Sequence, residues 1–217
     1  MGGRRVLLLW SGFGFGACYV LGLALTTFDA IPDAGQPLSA LTSFYDDSGN
    51  RIPVLIGGIL LAVSAASMLS FVSALTAGNQ TVAASVARAA ASLFAASVGA
   101  GSVALSLVAG ELSFRTVLQP GPELERWLAE FGYAVILVPG MAAAALCLWC
   151  VARSRVVELG TVGTGAAMLA GGASLAALPI AVGTGTLVWS QLPLAGWVVL
   201  ASAYSVRAPE VAPQQSW

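Results

Sequence analysis

Two thiols sit at i and i+3 in Cys147-Leu148-Trp149-Cys150, a spacing that places both sulfurs on one face of a helix and matches a redox pair or half of a metal site. The chain has no histidine to complete a metal centre, and the third cysteine, Cys18, falls in a different apolar stretch. Free cysteine in such surroundings behaves as a small apolar residue, so packing is the reading these thiols support. A second constellation, Tyr45-Asp46-Asp47-Ser48-Gly49-Asn50-Arg51, gathers two carboxylates, a carboxamide and a guanidinium. Its chemistry is either an acid–arginine pair that pins a loop or a polar lip for lipid headgroups or a partner. Arg126 and Trp127 in the second long connection are further candidates for partner or headgroup contact, with Trp127 and Tyr45 suited to headgroup level.

Arg88 is the one basic residue that could enter an apolar stretch. It is expected to snorkel to the headgroups, with contact to a polar group inside the bundle as the alternative. The glycines of Gly12-Phe13-Gly14-Phe15-Gly16 do not make a phosphate loop, because no strand precedes them and no lysine follows. Proton relays and charge-paired transport sites use ionisable groups at mid-membrane, and the apolar stretches have no Asp, Glu, Lys or His there. No nucleophile–base pair or haem ligand set is visible. The expectation is a non-enzyme without cofactor or metal.

The elements that position these residues follow from composition. A chain that is 58% hydrophobic and 9% charged is an integral membrane protein. Its apolar residues fall into six stretches of about 18 residues or more, enough to cross a hydrocarbon core of about 30 Å. They cover about 6–25, 53–75, 82–109, 133–151, 159–181 and 187–204. The first is long for a signal peptide and lacks a clean cleavage site, so it reads as a span. The fold class is therefore all-α, a polytopic six-helix membrane bundle forming a single domain over 1–207, with a flexible cytoplasmic tail at 208–217.

All nine basic residues are arginines. Arg4, Arg5, Arg88, Arg153, Arg155 and Arg207 fall on one side of this arrangement, and Arg51, Arg115 and Arg126 on the other. The richer side should be cytoplasmic, which puts both termini inside. The acidic residues Asp29, Asp33, Asp46, Asp47, Glu111, Glu123, Glu125 and Glu130 then fall outside, with Glu158 and Glu210 inside. With a net charge of -1 and no basic run, nucleic-acid binding is set aside. Abundant alanine and the exclusive use of arginine suggest a GC-rich genome and a bacterial inner membrane.

The long connections, 26–52 and 110–132, are both extracytoplasmic in this reading. Leu38, Leu41, Phe44 and Tyr45 recur at helical spacing in the first, and Leu124, Trp127, Leu128 and Phe131 in the second. Each loop is expected to hold a short amphipathic helix lying at the outer interface, with a cap over the bundle as the alternative. Ser48-Gly49-Asn50 reads as a turn.

Glycines crowd the spans, as expected where helices associate by close van der Waals contact. Pro139, Pro179 and Pro193 interrupt the last three spans and read as kinks. The run Leu41 to Arg51, passing into Ile56-Gly57-Gly58-Ile59-Leu60-Leu61-Ala62, resembles uncharacterised six-span actinobacterial membrane proteins, as does Phe131-Gly132-Tyr133-Ala134 with Pro139-Gly140. The resemblance covers about a third of the chain and implies topology and lineage, with no activity attached. The functional expectation is an accessory or scaffold subunit of a cell-envelope assembly, meeting lipid and other membrane subunits through Gly/Ala/Ser-rich faces. A carrier of an apolar or lipid-like molecule is the alternative, and a membrane enzyme comes third.

Overall fold

A computed structural model describes residues 3–27, 36–114, 122–154, 159–184 and 187–207, without side-chain placement at 110–114, 122, 177–184, 187–190 and 206–207. Asp29, Asp33, Arg115, Arg155, Glu158, Glu210 and the 208–217 tail lie outside the described residues. The helices are α1 (Gly3–Thr27), α2 (Leu38–Asp46), α3 (Ser48–Leu75), α4 (Val82–Phe114), α5 (Pro122–Val135), α6 (Met141–Arg153), α7 (Gly160–Thr184) and α8 (Leu187–Arg207). A π turn, Ile136–Gly140, joins α5 to α6 without a break, so the described residues form seven continuous helices. Pro139 accounts for the turn: it has no N–H to give and its ring crowds the preceding carbonyls, which a wider turn relieves.

Among the described residues, four helical stretches are long and apolar enough to cross a membrane, not six: Gly3–Thr27, Ser48–Leu75, Val82–Ala109 and Glu123–Arg153. These suggest a multi-pass membrane protein. The other two expected crossings fall on α7 and α8. The residues of α7 and α8 with described side chains, 160–176 and 191–205, fall short of a crossing length of about 18. The fourth span also departs from expectation. It begins near Glu123, inside the segment read as an outer loop, because the short helix expected there continues directly into the span.

The six long helices form a ring. Helix α1 packs on α3, α3 on α4, α4 on α6, α6 on α7, α7 on α8, and α8 returns to α1. Its centre is filled by side chains. Phe15 stacks on Tyr19 at 5.0 Å between ring centroids, and Phe94 from α4 meets both. All three are fully buried, as are Met68 and Met141. The Tyr19 hydroxyl donates to Gln191 Oε1 at 2.7 Å, which pairs the polar atoms of α1 and α8 inside the bundle. Such pairing matters because lipid offers no water to a buried polar group.

Many of the glycines are turned inward. A methyl group at Gly57 would stand 2.8 Å from the Gly22 carbonyl oxygen, so α1 and α3 cross backbone to backbone. Gly101 and Gly132 do the same for α4 and α5, where a methyl at Gly132 would lie 3.0 Å from the Gly101 oxygen. By contrast, Gly165, Gly172 and Gly196 have nothing within 4 Å of the position a methyl would take. Gly57→Ala is therefore expected to destabilise the bundle by about 1–3 kcal/mol through overpacking. Gly165→Ala should stay within about 0.5 kcal/mol of wild type. Unfolding in mixed micelles checks both, and equal effects would contradict the assigned crossing.

Candidate functional site

The expected site residues divide between the two ends of the ring. At one end Arg4 donates from Nε to Ala74 O (2.9 Å) and from its terminal guanidinium nitrogen to Leu75 O (3.2 Å). Arg88 reaches back along α4 to Thr76 O at 3.3 Å and to the Ser85 hydroxyl at 3.2 Å. Two guanidiniums thus serve the carbonyls at the C-terminus of α3, where the helix dipole favours positive charge. Gly78, with φ of 80°, turns the chain toward α4, and the Asn79 side chain donates to Ser154 O at the end of α6. Arg88 is half-buried and engaged with backbone, neither simply snorkelling nor facing the interior.

At the opposite end α2 folds over the bundle. Leu41, Phe44 and Tyr45 pack on Val54 of α3 and on Val108 and Ala109 of α4, with Leu128 of α5 against the same cluster. Tyr45 is fully buried, as the alternative of a cap over the bundle requires. Ser39, Ser43 and Asp46 face outward instead. The cap arises because the apolar face of this short helix finds apolar partners on three helices at once.

The polar run after Tyr45 is a joint between helices. Asp47 is the only residue between α2 and α3, and its carboxylate accepts from Gly49 N at 2.8 Å, capping α3. Ser48-Gly49-Asn50, expected as a turn, is the first turn of α3. Asn50 Nδ2 donates back to Phe44 O at 3.3 Å. Arg51 follows, half-buried, in the second turn.

Helix α5 is amphipathic in the sense that a membrane imposes. Leu124, Trp127 and Phe131 are exposed, with Trp127 and Phe131 stacked at 5.0 Å, while Glu125 is buried on the inner face. Arg126 donates to Gln36 O at 2.6 Å, tying α5 to the start of the cap. Tyr133 donates its hydroxyl to Thr26 O at the end of α1. Tyr45, Glu125 and Tyr133 thereby converge beneath α2, close enough to interact electrostatically. Burial pushes the Tyr45 phenol above its ordinary value, and Tyr133 and Glu125 act in the same direction. Its hydroxyl has no hydrogen-bond partner.

Sequence reasoning placed Tyr45, Arg51, Arg126 and Trp127 at this end but missed Glu125 and Tyr133. A glutamate on the face opposite Trp127 was the available signal, since in lipid the apolar side of a peripheral helix points outward. The cysteines form no cluster with metal-binding geometry: among the described residues no group of three or more potential ligands occurs. Cys147 is buried and Cys150 half-buried, both as free thiols. Comparison with protein-family models, curated proteins and solved structures gives no match.

Arg126→Gln should loosen the cap selectively. Hydrogen exchange is expected to rise for the amides of Leu41 to Asp46 while α3 keeps its protection, and unchanged exchange in α2 would contradict the tie to Gln36.

Proposed function

We propose that this chain is a non-enzymatic membrane subunit that works through its surfaces, as an accessory or scaffold component of a larger cell-envelope assembly in a bacterial inner membrane. One observation carries the reading. The centre of the ring, where a carrier would hold its cargo, is occupied by Phe15, Tyr19 and Phe94, all fully buried. That arrangement favours a closed scaffold over a carrier with a cavity between spans.

In this proposal α7 and α8 also cross the bilayer, giving six crossings with both termini inside. At 1.5 Å per residue, their 25 and 21 residues reach roughly 37 and 31 Å. The grouping of Arg4 and Arg88 around the C-terminus of α3, with Arg51 and Arg126 toward the opposite end, supports that orientation under the positive-inside rule. The resemblance to the actinobacterial six-span family points the same way and adds no activity.

The surface open to a partner is narrower than the glycine content suggests. Most of the close-packed glycines serve contacts within the chain, leaving Gly165 and Gly172 on α7 beside Val162 and Leu169, which are 73% and 76% exposed. Small residues flanked by large apolar ones form the kind of face on which a second membrane helix packs.

Two measurements test the proposal. In a variant lacking Cys18, Cys147 and Cys150, single cysteines at Gln80 and Thr161 should be shielded from an impermeant thiol reagent in intact cells, and one at Ser43 should react. Labelling of Gln80→Cys or Thr161→Cys from outside would contradict the topology. Affinity purification at native expression should recover other membrane proteins with wild type but not with Gly165→Ile/Gly172→Ile. A monomer that alone transports or converts a substrate would overturn the reading.

A further inference from the structure

Helix α5 has two faces, and only one of them is used within the chain. Glu125, Ala129 and Gly132 turn inward and are buried, whereas Glu123, Leu124, Trp127, Glu130 and Phe131 are exposed. On a seven-residue repeat, Leu124 and Phe131 take position a, Trp127 takes d, and Glu123 and Glu130 both take g. Helices that pair with other helices are built this way, with apolar residues along the seam and charges at its edge that select the partner. The rings of Trp127 and Phe131 stack at 5.0 Å with an interplanar angle of 11°, so the two largest side chains of the seam hold each other in place. Ordering them on docking therefore costs little.

Acyl chains do not account for this face. The continuous helix from Glu123 to Arg153 has 31 residues and reaches roughly 46 Å, against a hydrocarbon core of about 30 Å. A tilt of about 20° shortens that reach only slightly. Arg153 is exposed in the last turn of α6, and with it at one boundary the core ends near Tyr133, about 20 residues away. The stretch from Leu124 to Phe131 then stands at and beyond headgroup level, with its leucine and two aromatic rings outside the hydrocarbon.

Charge decides between a second copy and a different chain. In a parallel helix pair the g position of one helix meets the e position of the other. A second copy would set Glu123 against Leu128 and Glu130 against Val135, leaving both carboxylates without a counter-charge. Basic residues seven apart on another helix would meet both.

We propose that the exposed face of α5 docks an α-helix of another envelope protein, one with an apolar seam edged by Lys or Arg at every seventh residue. The identity of that partner rests on the proposed subunit role, but the docking face is distinct from Gly165 and Gly172 on α7.

The test uses the full-length purified chain in phosphatidylcholine nanodiscs, with empty nanodiscs as the blank. Two labelled four-heptad peptides are the probes, both with leucine at a and d, one with lysine at e and g and the other with glutamate there. The glutamate peptide stands in for the acidic edge of a second copy. Fluorescence anisotropy reads the Kd of each. Exposed ion pairs are worth little singly, so two of them should give the lysine peptide a roughly fivefold lower Kd. Glu123→Lys/Glu130→Lys should reverse the order of the peptides, and Glu123→Gln/Glu130→Gln should erase it should the lysine pair fail to fold. Trp127→Ala should weaken the lysine peptide severalfold with no change in the thermal midpoint of the bundle. The peptides bind without any native partner, so the α5 face can fail while copurification through α7 succeeds, and the reverse. Equal affinity for the two peptides, tighter binding of the glutamate peptide, no binding above the blank, or a preference that survives charge reversal overturns the proposal.

Discussion

The closure of the ring depends on the contact between its first and last long helices. Gly12 and Gly16 let α1 approach α8 so closely that a methyl at Gly16 would collide with the Val199 side chain and one at Gly12 with the Ser202 hydroxyl. This approach brings Tyr19 within 2.7 Å of Gln191 although 172 positions separate them in the chain. Without it, the buried Tyr19 phenol would lose its carboxamide partner, at a cost of about 1–3 kcal/mol in protein mutational data. The aromatic cluster at the centre would also lose one wall. Helix α1 carries a second duty at its other contact, where Arg4 serves the carbonyls ending α3.

Helix existence was largely legible in the sequence, because long apolar runs have few alternatives in lipid. Val82 begins α4 as the sequence reading places it. Boundaries at the outer end were less legible, since charge was taken as a sign of loop. Asp47 caps a helix, Asn50 and Arg51 lie inside one, and Glu123 and Glu125 open another. The number of crossings depends on α7 and α8, whose ends reach beyond the residues with described side chains.

The candidate site was legible only as a neighbourhood. Tyr45, Arg51 and Arg126 were visible as polar residues near an interface, but the apolar periodicity of Leu38, Leu41, Phe44 and Tyr45 does not say whether lipid or protein covers that face. Val54, Val108, Ala109 and Leu128 supply the answer from three other helices. Glu125 escaped notice because a helix lying at the outer interface would turn its glutamates to water, whereas here the face opposite Trp127 and Phe131 packs inward. Arg88 illustrates the same limit: its length permitted lipid, solvent or interior, and the nearest unsatisfied carbonyls at the end of α3 decided among them.

The two ends of the molecule therefore differ in kind. One is fastened by guanidiniums on helix-terminal carbonyls, and the other by the apolar face of α2 packed on three helices; the filled ring between them depends on α1 meeting α8. A direct measurement is disulfide trapping of Gly16→Cys with Val199→Cys in a variant otherwise free of cysteine. The Val199 Cβ lies 3.9 Å from the Cβ position at residue 16, within the range of about 3.5–4.5 Å that a disulfide requires. Oxidation in native membranes should produce a cross-link within one chain as efficiently as the α4 control Ser97→Cys with Gly140→Cys, where the corresponding separation is 3.5 Å. A control that closes while the Gly16–Val199 pair stays open, or links only separate chains, would contradict the closed ring.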